Sequence, residues 1–521
     1  MLTTITRGIN MQGKKFRDSK MIYMVTMSSY VPENHILRLI NKHVDFSFIQ
    51  EKARGMYSST GRPSIDPEVI VRMLLIGYLF GITSERKLCQ EVAMHIGYRW
   101  FCRYALDEPV MDHSSFSKNR HGRFAESNFL EEVFYEIVRQ CVEAGLVTGE
   151  HVSVDGTHIK ANASLDSMES MVTVKMTPKG YLQKVKAENK EAVTDEDKPE
   201  RPDKPEDATR GNGAEKASKK KKRGPVYKNK THCSRTDPDA RLAKKGAEKV
   251  SLRHDVNYLM DHEARVILGV EVDTPDRGGE QRAALAMLEK AEKRLGITPA
   301  FLGADEGYAA GDFLHALLQK GITPHIPIKR KARHNAEGIY PREMFTYHPI
   351  TETFTCPQGH RLTFQTIHSR SRQKIWRAKA KDCAACPCKS ACTRDKSRSI
   401  SYHIHEDAIV NTQVQNGTPA YVRSYQKRKT IEGLFAEAKQ CMGLGRAKFR
   451  RQQFVREQAL LTATAQNIKR LVKGRKKREM AGASRVLSPF CTSLLSKMGK
   501  LIIPLLQSSI KMRYLSSPSL P

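Results

Sequence analysis

Residues 175 to 250 cannot bury a core, and that limits what the rest of the chain can fold into. The stretch is mostly polar, with Pro, Asp, Glu and Lys crowded between Asp195 and Asp207 and the basic run Lys219-Lys220-Lys221-Lys222-Arg223. Too few apolar side chains are present to offset the entropy of ordering the backbone, so a largely disordered insertion is expected. Its lysines suit nonspecific contact with a phosphate backbone, or plain solvation. Any compact core must therefore be built from the segments on either side.

The segment before it, residues 28 to 145, reads as helices. Asp66-Pro67-Glu68 is a helix start with Pro at the first position, followed at helical spacing by Val69, Met73, Ile76, Leu79 and Phe80. Gly81-Ile82-Thr83 breaks that pattern, and Ser84 caps a second helix running through Leu88 and Val92. Asp112 to Arg120 reads as another capped start, with Lys118, Arg120 and Arg123 on its exposed side. Short helices joined by tight turns with a basic last member suit a helix-turn-helix-like DNA binder, and a helical scaffold without DNA contact is the alternative.

From His151 the period changes to two. Val152 and Val154 alternate with Ser153 and Asp155, a strand that sets Asp155 on one defined face. After the insertion come a hairpin (from Leu252, and from Val266) and a helix over Gln281 to Leu295. A short strand, Pro299 to Ala304, then delivers Asp305, with Gly307 and Gly311 beside it to let a ligand approach. A helix from Phe313 to Gln319 and a strand from Ile322 to Ile328 follow. Strand, hairpin, helix, strand, helix, strand is an α/β order with a mixed sheet.

The segment Tyr425 to Lys439 reads as one helix. At about 100° per residue, Tyr425, Arg428, Glu432 and Lys439 share a stripe about 60° wide, and Ile431, Leu434, Ala438 and Cys441 lie on the opposite, apolar side. A carboxylate among cations suits a site holding a metal ion and a phosphate, although a solvated face would also carry such charges.

The spacing Y-x2-R-x3-E-x6-K over those four residues resembles the motif around the last catalytic acid in a branch of bacterial insertion-sequence transposases of the DDE class. The segments Gly61 to Pro67 and Asp112-His113-Ser114 resemble the helical N-terminal domain of that family, and Asp155-Gly156-Thr157 with Lys160 resembles its first acid segment. The resemblance covers roughly residues 28 to 475. It implies a ribonuclease-H-like mixed-sheet catalytic domain over 148–475 and an all-α helix-turn-helix-like domain over 28–145, while the tail over 476–521 lies outside the resemblance and is of unknown structure. It also implies a protein that binds the terminal inverted repeats of its element as a homodimer, hydrolyses the phosphodiester to free a 3′-OH, and joins that hydroxyl to double-stranded target DNA.

Two-metal phosphodiester chemistry needs carboxylates converging on Mg²⁺ or Mn²⁺. The candidates are Asp155, Asp305 and Glu432, with Glu306 a weaker neighbour and Glu437 facing elsewhere. Arg428 and Lys439 would hold DNA phosphates and Tyr425 would pack near the terminal nucleotide, while Lys118 and Arg120 would contact DNA from the N-terminal domain. Between Asp305 and Glu432 there is room for an inserted module, expected over 331–420, and there the cysteines cluster. Cys356, Cys383, Cys386 and Cys392 suit a structural Zn²⁺, with Cys388 or His360 as substitutes, and plain reduced thiols are the other reading.

Composition bears on the partner. Lys and Arg number 88 against 56 Asp and Glu, a formal charge of +32, which favours a polyanion and most economically nucleic acid. No uncharged apolar run is long enough to span a membrane and the first residues lack a signal-peptide core, so a cytoplasmic protein is expected. Phosphate loops, nucleophile elbows and H-E-x-x-H are absent from the sequence. Two other readings remain: a metal-dependent endonuclease that cuts without joining, and a non-catalytic DNA-binding protein derived from a transposase.

Overall fold

The computed structural model describes residues 26–57, 60, 64–124, 127–171, 227–244, 246–276, 278–328 and 339–481. The Lys219–Arg223 run with most of the expected insertion, the Gly61-Arg62-Pro63 segment, and the tail beyond 481 lie outside them. The chain divides into two compact units, residues 1–146 with 464–521, and residues 147–463. Residues 464–475, expected in the catalytic domain, thus group with the N-terminal helices.

Helices are the only regular elements among the described residues of the first unit. The expected caps are formed. Asp66 accepts from the Glu68 amide at the head of the Pro67–Leu79 helix, Ser84 from Lys87 at Glu85–Met94, and Asp112 from Ser114 and Ser115 at His113–Lys118. Each cap satisfies amides that the first turn leaves without partners. Pro67–Leu79 is buried nearly all round and forms the centre of the unit. Its one interior cation, Arg72, is held by Glu68 at 2.8 Å and donates to the Phe101 carbonyl.

One expectation here fails. Arg120 is only 2% exposed, and its guanidinium donates to Glu85 at 3.1 Å and to the Tyr78 hydroxyl at 3.2 Å. The chain leaves α-geometry after Lys118 and winds as a π-turn over Asn119–Phe124, so the helical spacing that put Arg120 outside no longer applies. Arg123 lies over the Tyr57 ring at 4.2 Å, while Lys118 is exposed as expected.

The second unit is built on a mixed sheet. Its strands are β1 (His151–Lys160), β4 (Arg241–Ala243), β5 (Ser251–Asp261), β6 (Ile267–Asp273), β7 (Phe301–Gly303) and β8 (Thr323–His325); β2 (Met168–Ser170) and β3 (His232–Ser234) pair separately. β5 pairs antiparallel with β1, β4 and β6, whereas β7 is parallel to both β1 and β8. Helices Gly279–Leu295 and Gly311–Gln319 connect β6 to β7 and β7 to β8, in the order read from the sequence. β1 lies inside the sheet, and Ser153 is buried together with Val152 and Val154.

Residues 227–243, within the stretch expected to be disordered, are folded. Tyr227, Ala240 and Leu242 pack with Ala161, Met168 and Leu252, and buried Asp237 meets His254 at 2.9 Å. Their apolar partners come from distant strands, which a local composition cannot reveal.

Between β8 and the last helices stands a second sheet, antiparallel, in the order β13-β12-β11-β10-β9. The strands are β9 (Thr346–His348), β10 (Thr353–Thr355), β11 (Arg361–His368), β12 (Gln373–Ala378) and β13 (Ser399–His403). Phe345, Phe354, Leu362, Trp376, Ile400 and Cys392 form its core, with Cys356 and Cys383 against it.

A candidate active site of four carboxylates

Asp155 stands in the middle of β1, facing Tyr258 of β5 in register. β7 runs parallel to β1 with Phe301 beside His151, so the chain leaving β7 at Gly303 carries Asp305 to the same side. Each aspartate is fixed by a nearby amide. Gly156 N–H donates to Asp155 Oδ1 at 2.9 Å, and Gly307 N–H to Asp305 Oδ1 at 2.8 Å. Gly307 is thus part of the Asp305 turn. Gly311 does not open space for a ligand, because a Cβ there would meet the His403 ring at 2.3 Å.

Glu432 arrives on the Thr430–Cys441 helix, which buries Ile431, Leu434, Phe435 and Ala438. Phe435 stacks on Tyr258 at 4.5 Å and seats this helix beside the Asp155 segment. Cys441, expected on the apolar face, is exposed instead. The expected single helix is in fact two, Pro419–Arg428 and Thr430–Cys441, broken at Lys429. Thr430 Oγ1 donates to the Lys427 carbonyl at 2.7 Å, a side-chain bond that competes with the helical ladder.

The break redistributes the four signature residues. Arg428, on the first helix, reaches Asp155 Oδ2 at 3.8 Å. Lys439, on the second, donates to Thr157 Oγ1 at 2.6 Å and to the His158 carbonyl at 3.2 Å, bracing the helix to β1. Tyr425 stacks on Tyr421 and carries Arg428 at 5.6 Å and Lys429 at 5.1 Å over its ring. Glu432 is exposed.

Asp155, Asp305, Glu432 and Lys439 line one open cleft of about 600 Å³. A fourth acid that sequence reasoning missed, Glu280, lines it too. Glu280 sits in the first turn of Gly279–Leu295. An acid directly after paired glycines at a helix start was the available signal, since such a loop lets backbone and ligand approach closely.

Burial lifts the Asp155 carboxyl to about 6, and Asp305 and Glu432 push the same way against the Gly156 amide and Arg428. Burial likewise lifts Glu280 to about 7, aided by Asp255, Asp305 and Asp155. Four carboxylates thus share the cleft with Lys244 and Lys439, and Arg428 reaches Asp155. Clustered carboxylate oxygens are the donor type that Mg²⁺ or Mn²⁺ takes. In this conformation no three His, Cys, Asp or Glu side chains among the described residues converge tightly enough to hold a metal ion, here or at the cysteines. The described cysteines are free thiols. Cys392 is raised by burial and by neighbouring Cys383, Cys356 and Cys386.

Two family models match the chain. One, described as a transposase domain (DUF772), covers residues 25–122. The other, described as a transposase DDE domain, covers residues 355–472 and includes the cysteine cluster and Glu432. Together the two matches support an insertion-sequence transposase of the DDE class. No curated protein matches it. The DDE match begins after Asp155 and Asp305, which share the cleft with Glu432. Among the described residues, no helix is long and apolar enough to cross a membrane.

Proposed function

We propose that this transposase is catalytically competent: that it binds the terminal inverted repeats of its element, hydrolyses the phosphodiester at the element end to free a 3′-OH, and joins that hydroxyl to target DNA. The observation that carries the reading is the gathering of Asp155, Asp305 and Glu432 around one cleft from three separate parts of the chain. The strand pattern supports a ribonuclease-H-like core, with β6, β5 and β1 antiparallel and β7 and β8 parallel beyond them.

Asp155, Asp305 and Glu432 would hold Mg²⁺ or Mn²⁺, which when bound would polarise the scissile phosphate and activate the attacking oxygen. Arg428 orients Asp155, and Lys439 holds β1 against the Glu432 helix, with both cations near the phosphate to be cut. Tyr425, on an exposed aromatic step with Tyr421, would pack against the terminal nucleotide. Lys118 would contact DNA backbone, whereas buried Arg120 serves the fold of its unit. By resemblance to its family the protein would act on paired ends as a homodimer.

The test is an assay of purified protein with duplex carrying the element end and a target plasmid. Mg²⁺-dependent nicking and a joined product are expected, with Asp155→Asn, Asp305→Asn and Glu432→Gln each abolishing both while retaining duplex binding, because affinity comes mainly from Lys and Arg on phosphate. Cleavage retained in any one variant would remove that acid from the site. Cleavage without joining would make the protein an endonuclease, and binding without either a DNA-binding protein.

We also propose that Cys356, Cys383, Cys386 and Cys392 close on a structural Zn²⁺, supported by the packing of Cys356, Cys383 and Cys392 at one small core with Cys386 close enough to act on Cys392. About one equivalent of zinc in purified protein, and loss of the module's structure on chelation, are expected because metal binding and local folding are coupled. Metal-free protein with an unchanged melting curve would leave these as plain core thiols.

A further inference from the structure

Glu280 is an acid of the cleft that the sequence patterns did not single out. Its carboxylate lies beside the backbone that follows each aspartate. A Cβ built on Gly156, next to Asp155, would meet Glu280 Oε1 at 3.0 Å; one built on Gly307, two residues after Asp305, would lie 3.8 Å from Oε2. Neither oxygen makes a hydrogen bond or ion pair with the described residues, although the group is half-buried.

A first-turn glutamate can simply complement the positive end of its helix, which needs no approach to other acids. Here the side chain does approach them, and a second group points to the same spot. Asn257 faces Gly156 in the β1–β5 register and is fully buried, yet neither its Oδ1 nor its Nδ2 has a hydrogen-bond partner. Its Oδ1 lies 2.6 Å from the position of a Gly156 Cβ, which only glycine leaves open. Buried amides are almost always paired, so an orphaned one aimed beside an unpaired carboxylate marks a place for a ligand. The hydroxyl of buried Tyr308 is unpartnered as well.

We infer that Glu280, with the side-chain amide oxygen of Asn257, completes the oxygen set that holds a divalent cation next to Asp155. This rests on the metal-dependent reading above and adds a residue to it. Three hard oxygens of different origin, Asp155, Glu280 and Asn257, surround the space over Gly156, and a cation there would satisfy all of them.

Mn²⁺ titration of the full chain, read by electron paramagnetic resonance of the free ion, tests this without DNA or turnover. Glu280→Gln should weaken Mn²⁺ binding at least about tenfold, as loss of a metal-site partner does, and Asn257→Ala should weaken it less. Asp155→Asn serves as the reference. Thermal melting in chelator supplies the sign that separates a ligand from a helix-end acid. With no cation present, Glu280→Gln removes repulsion and should melt at or above wild type. Wild-type Mn²⁺ affinity in Glu280→Gln alongside a weakened Asp155→Asn would overturn the inference and leave the metal-dependent reading standing. A lower melting temperature in chelator would also overturn it, reducing Glu280 to a helix-end residue. If the wild type binds no Mn²⁺, the metal-dependent reading falls and takes this inference with it.

Discussion

β1 serves two polar clusters, and they handle buried ionisable groups in opposite ways. At its start, His151 stacks on Phe301 at 4.4 Å, Ser153 meets His262 Nε2 at 2.7 Å, and His325 Nδ1 meets Ser424 Oγ at 2.7 Å. Burial drives His262 and His325 down to about 4, so near neutral pH both rings are uncharged and bonded to hydroxyls. Two residues beyond Ser153, the strand enters the cleft, where burial and neighbouring acids push the Asp155 and Glu280 carboxyls up instead, Asp155 in spite of the Gly156 amide and Arg428. Partnered ionisable groups hold a fold together. Groups crowded and left short of partners are stabilised only when something else binds.

The largest effect that would break this contrast is at the cleft's cations. Arg428→Ala and Lys439→Ala should each lower end cleavage by about 10²-fold, the typical loss for one positioned electrostatic contact, with duplex affinity changing less than several-fold. Lys439→Ala removes the brace to Thr157 as well, so its melting temperature should fall while that of Arg428→Ala holds. Cleavage at the wild-type rate in both would mean that these cations are ordinary surface charge.

The smaller effect sharpens the histidine side. His262 and His325 are depressed to about 4 in the fold against an ordinary value near 6.5. Between those values the unfolded chain binds more protons than the folded one. Their stabilising effect is therefore complete above about pH 6.5 and is lost as pH falls toward 4. At pH 5.5 each histidine should have given up about 1 kcal/mol, since one pKa unit corresponds to about 1.4 kcal/mol. Melting curves between pH 7.5 and 5.5 should show that slope, and His262→Asn with His325→Asn should flatten it. A double variant with the wild-type slope would place the titrating groups elsewhere.

The two clusters also differ in how far the sequence foretold them. Asp155 and Asp305 were legible because each ends or interrupts an apolar run of strand character, and Glu432 because it heads a helix with a clear aliphatic side. Glu280 was not, since a first-turn acid looks like any helix start until β5 and β1 bring Asn257 and Gly156 beside it. His151, His262 and His325 lie far apart in the sequence, and only the pairing of β1 with β5 on one side and with β7 and β8 on the other brings their rings together. Arg120 misled because one π-turn shifts every side chain after it. The cysteine module was seen as cysteines and not as a sheet, because three-residue strands such as Thr346–His348 are too short to show a period.

What the sequence determined by itself was local: caps at Asp66, Ser84 and Asp112, the strand and helix order of the second unit, and the aliphatic side of the Glu432 helix. Such features depend on backbone hydrogen bonds and side-chain spacing within a few residues, and a linear pattern records them directly. Tertiary structure alone decided that four carboxylates share a cleft, that Lys439 ties its helix to β1, and that Arg120 is inside. Those outcomes depend on desolvation and on contacts between residues more than a hundred positions apart, as between Asp155 and Glu280, and no local pattern encodes how strongly one buried charge will feel another.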